Sequence, residues 1–370
     1  MKLRRAAILV IGLAFVFGPG VGYALGLRQK PLDNRPIAAA PAASDGFDAL
    51  DALGPWAADR VAGRTAGVEA KSWFDFNVLR ELPANSKVVR GQDGNLFLAE
   101  DFTRLCQRNA QFQQALDDFA KLAEVIEQSG RNVVFTIGPN KSSVIGEDLP
   151  SVVPTGACAL DGITQQNEIL DTYQHPSWVG VREQLTGSQT YWKTDSHWST
   201  TGAAIFSKEL AAHFGPRLAS RITTTPETIT KTADLNVLLG LTAKESPPSL
   251  QVSTGTTVTP QPGWIAYDPL KELVGKERWT TRPATGLVPG KSVIVGDSFA
   301  YYALGNLRPL FADGTFLWTG HVSETEIVNA IRDSDTIVLE MVQRSMATTH
   351  MFSSATFRQK VADALTVAAP

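Results

Sequence analysis

The chain has 370 residues, with 34 lysines and arginines against 37 aspartates and glutamates, so its formal net charge is −3. A hydrophobic share of 43% and a charged share of 19% indicate a globular protein and exclude a disordered or collagen-like chain. The pI near 6.0 and the lack of a basic block argue against nucleic acid as the main partner. The two cysteines, Cys106 and Cys158, lack the C-x-x-C spacing of zinc, iron–sulfur and redox sites.

An uncharged stretch near the N-terminus predicts a membrane anchor. Residues 6–27 carry no charge, follow a basic segment at 1–5, and are closed by Arg28 and Lys30. At about 1.5 Å per residue, a helix of this length matches the roughly 30 Å hydrocarbon core. The basic flank predicts a cytoplasmic tail at 1–5, a signal-anchor at 6–27 and an extracytoplasmic remainder. A cleaved signal peptide is the alternative, because the stretch is rich in glycine, although no clean small-x-small cleavage site ends it.

The segment after the predicted anchor is expected to be a linker. Residues 28–45 are rich in proline and alanine and lack apolar periodicity, which is typical of a tether. We therefore expect a single-pass membrane protein whose main domain lies on the periplasmic or cell-envelope side of the membrane. In that compartment Cys106 and Cys158 can form a disulfide, with two buried free thiols as the alternative.

From residue 46 onward, apolar strands alternate with amphipathic helices. In chain order, the predicted elements are a strand at 95–98, a helix at 104–129, strands at 132–137 and 189–192, a helix at 201–214, strands at 292–295 and 315–318, a helix at 324–332, a strand at 336–341 and a helix at 355–367. The Thr-, Pro- and Gly-rich residues 220–288 are expected to form an irregular insertion. The pattern predicts one α/β domain over 46–370, with three layers (α/β/α) and a mostly parallel sheet. In such sheets, active sites lie beyond the carboxyl ends of the strands.

The first chemical candidate is a serine at a predicted strand-to-helix turn. Ser298 follows the apolar strand in the sequence Gly296-Asp-Ser-Phe299, where Gly296 permits a tight approach. The free N–H groups at the start of the following helix can stabilise an anion there. An ordinary helix N-cap is the alternative interpretation of the same residues.

The second candidate is the segment Asp195-Ser-His-Trp198. A carboxylate can fix the tautomer of His197 through one ring nitrogen and leave the other to take a proton from a serine. The alternatives are an incidental surface histidine or half of a metal site, and no second cluster with metal-ligand spacing supports the latter. Together with Ser298, this pair predicts serine-dependent acyl transfer.

Five short motifs occur in a recognisable order. They are Asp93-Gly-Asn-Leu-Phe-Leu98, Pro139-Asn-Lys141, Asp195-Ser-His-Trp198 with Gly202-Ala203, Gly296-Asp-Ser-Phe299, and Glu340-Met-Val-Gln-Arg344. With these motifs the chain resembles the SGNH (GDSL-like) hydrolase superfamily, and within it the alginate O-acetyltransferase branch, the AlgJ/AlgX-like proteins. The resemblance covers about residues 70 to 345, and the serine follows the Asp/His pair as in the permuted order of this branch. The G-x-S-x-G elbow of α/β-hydrolases is absent.

The resemblance implies a Ser-His-Asp triad in which Ser298 is acylated, His197 acts as base and then acid, and Asp195 orients His197. The backbone N–H of Ser298 would be one oxyanion donor.

Further candidates surround this triad. Asn140 and Lys141 are candidates for a second oxyanion donor or a substrate contact, with a polar loop as the alternative. Arg344 can bind substrate or pair with Glu340. Other candidates for oxyanion or substrate contacts are Gly296 and Tyr301.

The resemblance implies an extracytoplasmic O-acyltransferase that modifies a cell-surface or exported polysaccharide, with acetyl as the expected acyl group. A multi-spanning membrane acyltransferase would supply the acyl group, and no cofactor is implied. A carbohydrate esterase or deacetylase with the same triad is the first alternative, because water and a sugar hydroxyl compete for one acyl-enzyme. A non-catalytic glycan-binding assembly protein is the second.

Overall fold

The computed structural model describes residues 21–22, 25–26, 38–42, 44, 46–60, 63–83, 85–108, 110–187, 189–261, 275–346, 348 and 350–366, without the side chains of 104, 106–108 and 110. The expected tail at 1–5, most of the expected anchor at 6–27 and most of the linker at 28–45 lie outside these residues. Among the residues described, no helix combines the length and hydrophobicity needed to cross a bilayer.

The chain divides into two compact units. One comprises Met1–Ser86 with Asn236–Ala243, and the other comprises Lys87–Leu235 with Lys244–Pro370. Helices of the first unit are α1 (Asp48–Ala58) and α2 (Arg64–Phe74), and a π-helical turn follows at Asp75–Leu79. The second unit holds all the chemical candidates of the sequence.

The second unit alternates strands and helices as expected. Its described strands are β1 (Val88–Arg90), β2 (Leu96–Leu98), β3 (Asn132–Gly138), β4 (Thr223–Thr228), β5 (Lys231–Thr232), β6 (Lys244–Glu245), β7 (Pro248–Ser253), β8 (Thr257–Pro260), β9 (Lys276–Arg282), β10 (Val288–Gly296), β11 (Phe311–Trp318) and β12 (Thr336–Val342). Its described helices are α3 (Glu100–Arg108), α4 (Ala110–Gln128), α5 (Lys141–Val144), α6 (Ala157–Thr172), α7 (Arg182–Leu185), α8 (Thr200–Phe214), α9 (Pro216–Ala219), α10 (Asp234–Leu238, which continues into the first unit), α11 (Ser298–Leu307), α12 (Glu324–Arg332), α13 (Gln343–Met346) and α14 (Ala355–Thr366).

The main sheet is mixed, with a parallel core. Its strand order is β3-β12-β10-β11-β9-β8. The strands β3, β12, β10 and β11 run parallel, whereas β9 pairs antiparallel with β11 and β8 antiparallel with β9. The parallel part places the carboxyl ends of β3, β10 and β12 at one edge of the sheet.

Helices cover both faces of this sheet. In β3, Val133 and Phe135 pack into a cluster with α4, α12 and α14, while Val134 packs into a second cluster with α8 and α11. Residues of opposite parity bury in opposite layers because successive strand side chains point to opposite faces. The expected three-layer arrangement therefore follows from strands that are apolar on both faces.

The chain changes direction across the sheet at β10. From β10 it passes through α11, on one face, to the neighbouring strand β11. From β11 it passes through α12, on the other face, to β12 on the far side of β10. The carboxyl ends of β10 and β12 therefore flank a topological switch point, where α/β proteins bind their ligands.

Two sequence expectations differ from the structure. The strand expected at 189–192 is a loop, and the insertion expected to be irregular at 220–288 contains β4 to β9. Threonine is β-branched and suits paired strands, as in β8 and β9. The helix expected at 104–129 corresponds to α3 and α4, and residue 109 between them lies outside the described part of the chain.

The structure describes the side chain of only one of the two cysteines in the expected disulfide. The side chain of Cys106 lies outside the described part of the chain. Cys158, in α6, is disulfide-bonded.

Candidate active site

Ser298 lies at the first position of α11, directly after β10. Asp297 caps this helix, because its Oδ1 accepts the N–H of Phe299 at 2.8 Å. Its Oδ2 accepts the N–H of Val342, at the end of β12, also at 2.8 Å. The turn that carries Ser298 is thus fixed to two adjacent strands, and the backbone N–H of Ser298 has no acceptor within its own helix.

Gly296 allows this turn to lie close to the sheet. A Cβ there would stand 2.5 Å from the Cβ of Ala300 and 2.8 Å from Oε2 of Glu340. Its carbonyl accepts the N–H of Thr319 at 2.8 Å. The close contacts explain why a glycine lies here, and its expected oxyanion or substrate contact stays a prediction.

A buried carboxyl group supports the turn from below. Oε2 of Glu340 accepts the N–H groups of Asp297 at 3.2 Å and Ala300 at 3.1 Å. Burial, together with the charge of Asp297, raises the pKa of Glu340 well above its usual range. Glu340 belongs to the support of α11, and Arg344 does not pair with it.

The Asp195/His197 segment is a loop before α8, rather than the end of a strand as expected. A bridge between Tyr191 and Trp198 closes the loop. Ser199 caps α8 by accepting the N–H of Gly202 at 3.2 Å. The buried ring of Trp198 donates from Nε1 to the carbonyl of Phe299 at 3.1 Å, which ties the loop to α11.

The loop brings its imidazole to the serine. His197 Nε2 lies 2.8 Å from Ser298 Oγ, and His197 Nδ1 lies 2.7 Å from Asp195 Oδ1. Asp195 Oδ1 also accepts the backbone N–H of His197 at 3.0 Å. With Nδ1–H held by the carboxylate, Nε2 is the nitrogen left to accept a proton from Ser298.

Lys231, which the sequence did not indicate as a site residue, contacts the carboxylate of Asp195. Nζ of Lys231 lies 2.6 Å from Asp195 Oδ2. Burial alone would raise the pKa of Asp195, but the hydrogen bond and charge of His197 and the ammonium of Lys231 hold it far below its usual range. Asp195 is therefore ionised at any pH at which a protein of this kind functions.

Asp234, at the start of α10, is a second acidic neighbour. Its Oδ2 lies 3.6 Å from His197 Nδ1, and it accepts the backbone N–H and the hydroxyl of Ser196 at 2.8 and 2.5 Å. Burial and the charge of Asp195 raise the pKa of Asp234. Asp195, His197 and Asp234 are close enough to surround a metal ion. Their contacts with Ser298, Ser196 and the Lys231 ammonium fit a hydrogen-bonded charge cluster better than a cation site.

Two adjacent tyrosines have different places. Tyr302 stacks on the imidazole of His197 with ring centroids 4.2 Å apart. Tyr301, the candidate from the sequence, stacks instead on Trp318 at 5.0 Å and packs against the core. The ring beside the imidazole of His197 therefore belongs to Tyr302.

Asn140 lies at the end of β3 and is buried. Its Oδ1 accepts the N–H of Arg344 at 3.1 Å, and its backbone N–H donates to Gln343 at 2.9 Å. Among the described residues, the Nδ2 group of Asn140 has no acceptor. Asn140 thus keeps a side-chain donor that is available to an oxyanion or a substrate.

Lys141 is engaged by the protein itself. Nζ donates to the carbonyls of Leu96, Trp192 and Lys193 at 2.8, 2.7 and 2.7 Å. Burial lowers the pKa of Lys141 to about 7, against the opposing charges of Glu245 and Asp195. Three acceptors use the three protons of an ammonium, so Lys141 holds the loop in place and is not free for the expected oxyanion or substrate contact.

Arg344 lies beside α11, the helix that begins at Ser298. Its guanidinium carbon is 5.3 Å from the ring centroid of Phe299, and Nη1 is 3.7 Å from Oδ1 of the fully buried Asp101. The ion-pair partner is therefore Asp101, rather than the Glu340 expected from the sequence.

A cavity of about 550 Å³ borders the triad loop and is lined by residues that include Tyr191, Lys193 and Glu245. A second cavity, of about 730 Å³, is lined by Asn132 and Thr336, the first residues of β3 and β12, at the opposite edge of the sheet from the triad.

A family model described as "SGNH hydrolase-like domain, acetyltransferase AlgX" matches residues 88–281, which include Asp195 and His197 and end before Ser298. A comparison with curated protein sequences gave no significant match.

Several solved structures are similar. The O-acetyltransferase domain of Pseudomonas putida AlgJ has 18% identity and a TM-score of 0.45, over 75% of this chain and 98% of that one. Bacillus cereus PatB1 has 14% identity and a TM-score of 0.49, over 72% and 98%. Pseudomonas aeruginosa AlgX has 16% identity and a TM-score of 0.38, over 72% and 64%.

The family model covers slightly more than half of the chain, and it confirms the resemblance carried by the five motifs. The chain belongs to the SGNH hydrolase-like family of AlgX-type acetyltransferase domains.

Proposed function

We propose that this protein is a membrane-anchored, extracytoplasmic O-acetyltransferase that acylates hydroxyl groups of a polysaccharide through Ser298. The contact of 2.8 Å between His197 Nε2 and Ser298 Oγ, continued by 2.7 Å from Nδ1 to Asp195, carries the proposal. Family membership supports acetyl as the group transferred.

In the first half-reaction, Ser298 Oγ attacks the carbonyl carbon of an acetyl ester while His197 Nε2 takes its proton. The N–H of Ser298 and the Nδ2 group of Asn140 are the proposed donors to the developing oxyanion. Collapse of the tetrahedral intermediate breaks the donor's ester bond, and the imidazolium returns the proton to the departing oxygen. Acetyl-Ser298 remains.

In the second half-reaction, an acceptor hydroxyl takes the place of the leaving group. His197 removes its proton as the oxygen attacks acetyl-Ser298, and Ser298 recovers the proton when the acetyl group departs. The cavity beside Tyr191, Lys193 and Glu245 is our candidate for the acceptor site, because it borders the triad loop.

The acyl donor and the location are part of the same proposal. We propose that a multi-spanning membrane acyltransferase supplies the acetyl group and that residues 6–27 keep the domain near it. The uncharged stretch behind a basic flank supports this placement. Alkaline washing should leave the full chain in the membrane fraction; release into the wash, or a mature N-terminus after residue 27, would contradict the anchor.

The decisive experiment separates transfer from hydrolysis. The full chain in detergent is supplied with a chromogenic acetyl ester and a de-acetylated polysaccharide, and acetylated glycan and free acetate are both measured. We expect acetylated glycan with the native protein and neither product with Ser298→Ala. Acetate alone, across a range of glycans, would establish the esterase function instead.

A further inference from the structure

Among the residues that the structure describes, Lys231 is the cation in closest contact with Asp195. It begins β5 and pairs across the hairpin with Glu245 of β6. Its Nζ lies 2.6 Å from Oδ2 of Asp195, the oxygen that does not hold His197. The side chain is 20% exposed, so the contact is largely shielded from solvent.

Two aromatic rings surround the same ammonium. Nζ lies 4.2 Å from the ring centroid of Tyr302 and 4.6 Å from that of Trp192. Tyr302 stacks in turn on the imidazole of His197. Cation–π contacts of this kind favour the charged lysine, and they fix its position relative to the imidazole.

The charges around the imidazole explain why a cation is needed there. Asp195 contacts His197 Nδ1, and Asp234 lies 3.6 Å from the same nitrogen. Two carboxylates together favour the protonated imidazolium, which cannot take a proton from Ser298. Lys141 adds positive charge nearby, but its protons are committed to three carbonyls.

We propose that Lys231 is a positioning residue, whose ammonium orients the carboxylate of Asp195 toward His197 and offsets the negative charge of the acidic pair beside the imidazole. This inference rests on the proposed function, because it concerns the base that serves Ser298. Lys231 acts through Asp195 and does not itself touch the reacting atoms.

The test is the pH profile of acylation, measured with the full chain and a chromogenic acetyl ester. In Lys231→Met, the acidic limb of the profile should move to higher pH by about one unit. At pH values below the midpoint of the limb, this shift is a roughly tenfold loss of rate. Lys231→Arg should keep the native profile because it retains the charge. Lys244→Met, which removes an exposed lysine from the same hairpin, is the matched control. A Lys231→Met limb that superimposes on the native one would overturn the proposal.

The opposite change keeps the proposal testable if Lys231→Met does not fold. Asp234→Asn retains an acceptor for Ser196 and removes one negative charge, so its acidic limb should move to lower pH. A limb that stays in place or moves upward would contradict the proposal.

Titration of His197 by nitrogen NMR gives the same comparison without turnover. The titration midpoint should rise in Lys231→Met and fall in Asp234→Asn. If the native protein forms no acyl-enzyme but these midpoints move as expected, the proposed function fails while the role of Lys231 stands.

Discussion

A serine hydroxyl is a weak nucleophile at neutral pH, and in the reaction proposed for this chain its activation depends on two side chains from one distant loop. His197 supplies the base at 2.8 Å, and Asp195 fixes the ring from the other side at 2.7 Å. Asp195 is fully buried, so its charge acts on the imidazole with little screening by water.

The role of Asp195 gives a direct prediction. Asp195→Asn keeps the shape of the side chain but no longer selects the tautomer in which Nε2 accepts a proton. We expect the rate of Ser298 acylation to fall by roughly 10²- to 10⁴-fold, as measured with a chromogenic acetyl ester. Asp161→Asn, on the exposed surface of α6, should leave the rate unchanged. A loss of less than about tenfold in Asp195→Asn would refute the orienting role.

At the residue scale, the sequence predicted the triad residues from short motifs but not their neighbours. Lys231 and Asp234 lie in a Thr-rich segment without a local motif, and only the path of the β5–β6 hairpin brings them to the loop. Tyr301 and Tyr302 cannot be distinguished from sequence, because the helix phase that decides between them depends on how α11 packs.

Between elements, the critical contact is the one that holds α8 against the triad loop. Gly202 is buried in the first turn of α8, where a Cβ would collide with the carbonyl oxygen of Thr190 and stand 2.9 Å from the Cβ of Trp198. The loop that carries His197 therefore depends on a glycine five residues later.

Gly202→Ala should destabilise the fold and displace His197. We expect a loss of roughly 1–3 kcal/mol in the free energy of unfolding, because backbone rather than a flexible side chain would have to move. Gly67→Ala, at an open and exposed position of α2, is the matched control and should be neutral or stabilising by up to about 1 kcal/mol. Equal midpoints of urea unfolding for the two variants would show that the contact is not critical.

At the element scale, apolar periodicity predicted most strands and helices of the sheet core, including α12 with its bounds. It did not predict β8 and β9. Their Thr-rich sequences lack the continuous apolar run of a central strand, because they lie at the antiparallel edge of the sheet. The 189–192 segment is apolar because Tyr191 and Trp192 are buried in a loop.

The whole molecule carries ionisable groups whose burial must affect its stability. Asp101 is fully buried, and its two carboxylate oxygens have no hydrogen-bond partner among the described residues. Burial raises the pKa of Asp101 from 3.8 to about 6, although the charge of Arg344 opposes the rise. Folding therefore favours the protonated carboxyl.

The sign of the pH dependence follows. Because the unfolded chain releases this proton at lower pH than the folded one, stability falls as the pH rises from about 4 to 6 and then levels off. The increase in the pKa of Asp101 from 3.8 to about 6 corresponds to a loss of roughly 3 kcal/mol in the free energy of unfolding. In Asp101→Asn this decline should disappear, so the native-minus-variant difference in unfolding free energy should fall by about that amount between pH 4 and 7. Asp161→Asn is the control, for which this difference should stay constant with pH. A constant difference for Asp101→Asn as well would contradict the assignment of the pH dependence to Asp101.

For the whole molecule, the sequence predicted an α/β fold with helices on both faces, because strands apolar at every position must be covered twice. It did not predict the strand order or the antiparallel edge, since these depend on contacts between residues far apart in the chain.

The most direct test of the account is intact-protein mass spectrometry of the full chain after brief exposure to an activated acetyl ester. We expect one added acetyl group, which peptide mapping places on Ser298 and which is absent from Ser298→Ala. The adduct should also disappear when a polysaccharide acceptor is added, with the acetyl group recovered on the glycan. A folded native protein that turns over the ester without acetylation of Ser298, or that forms no adduct at all, would contradict the account.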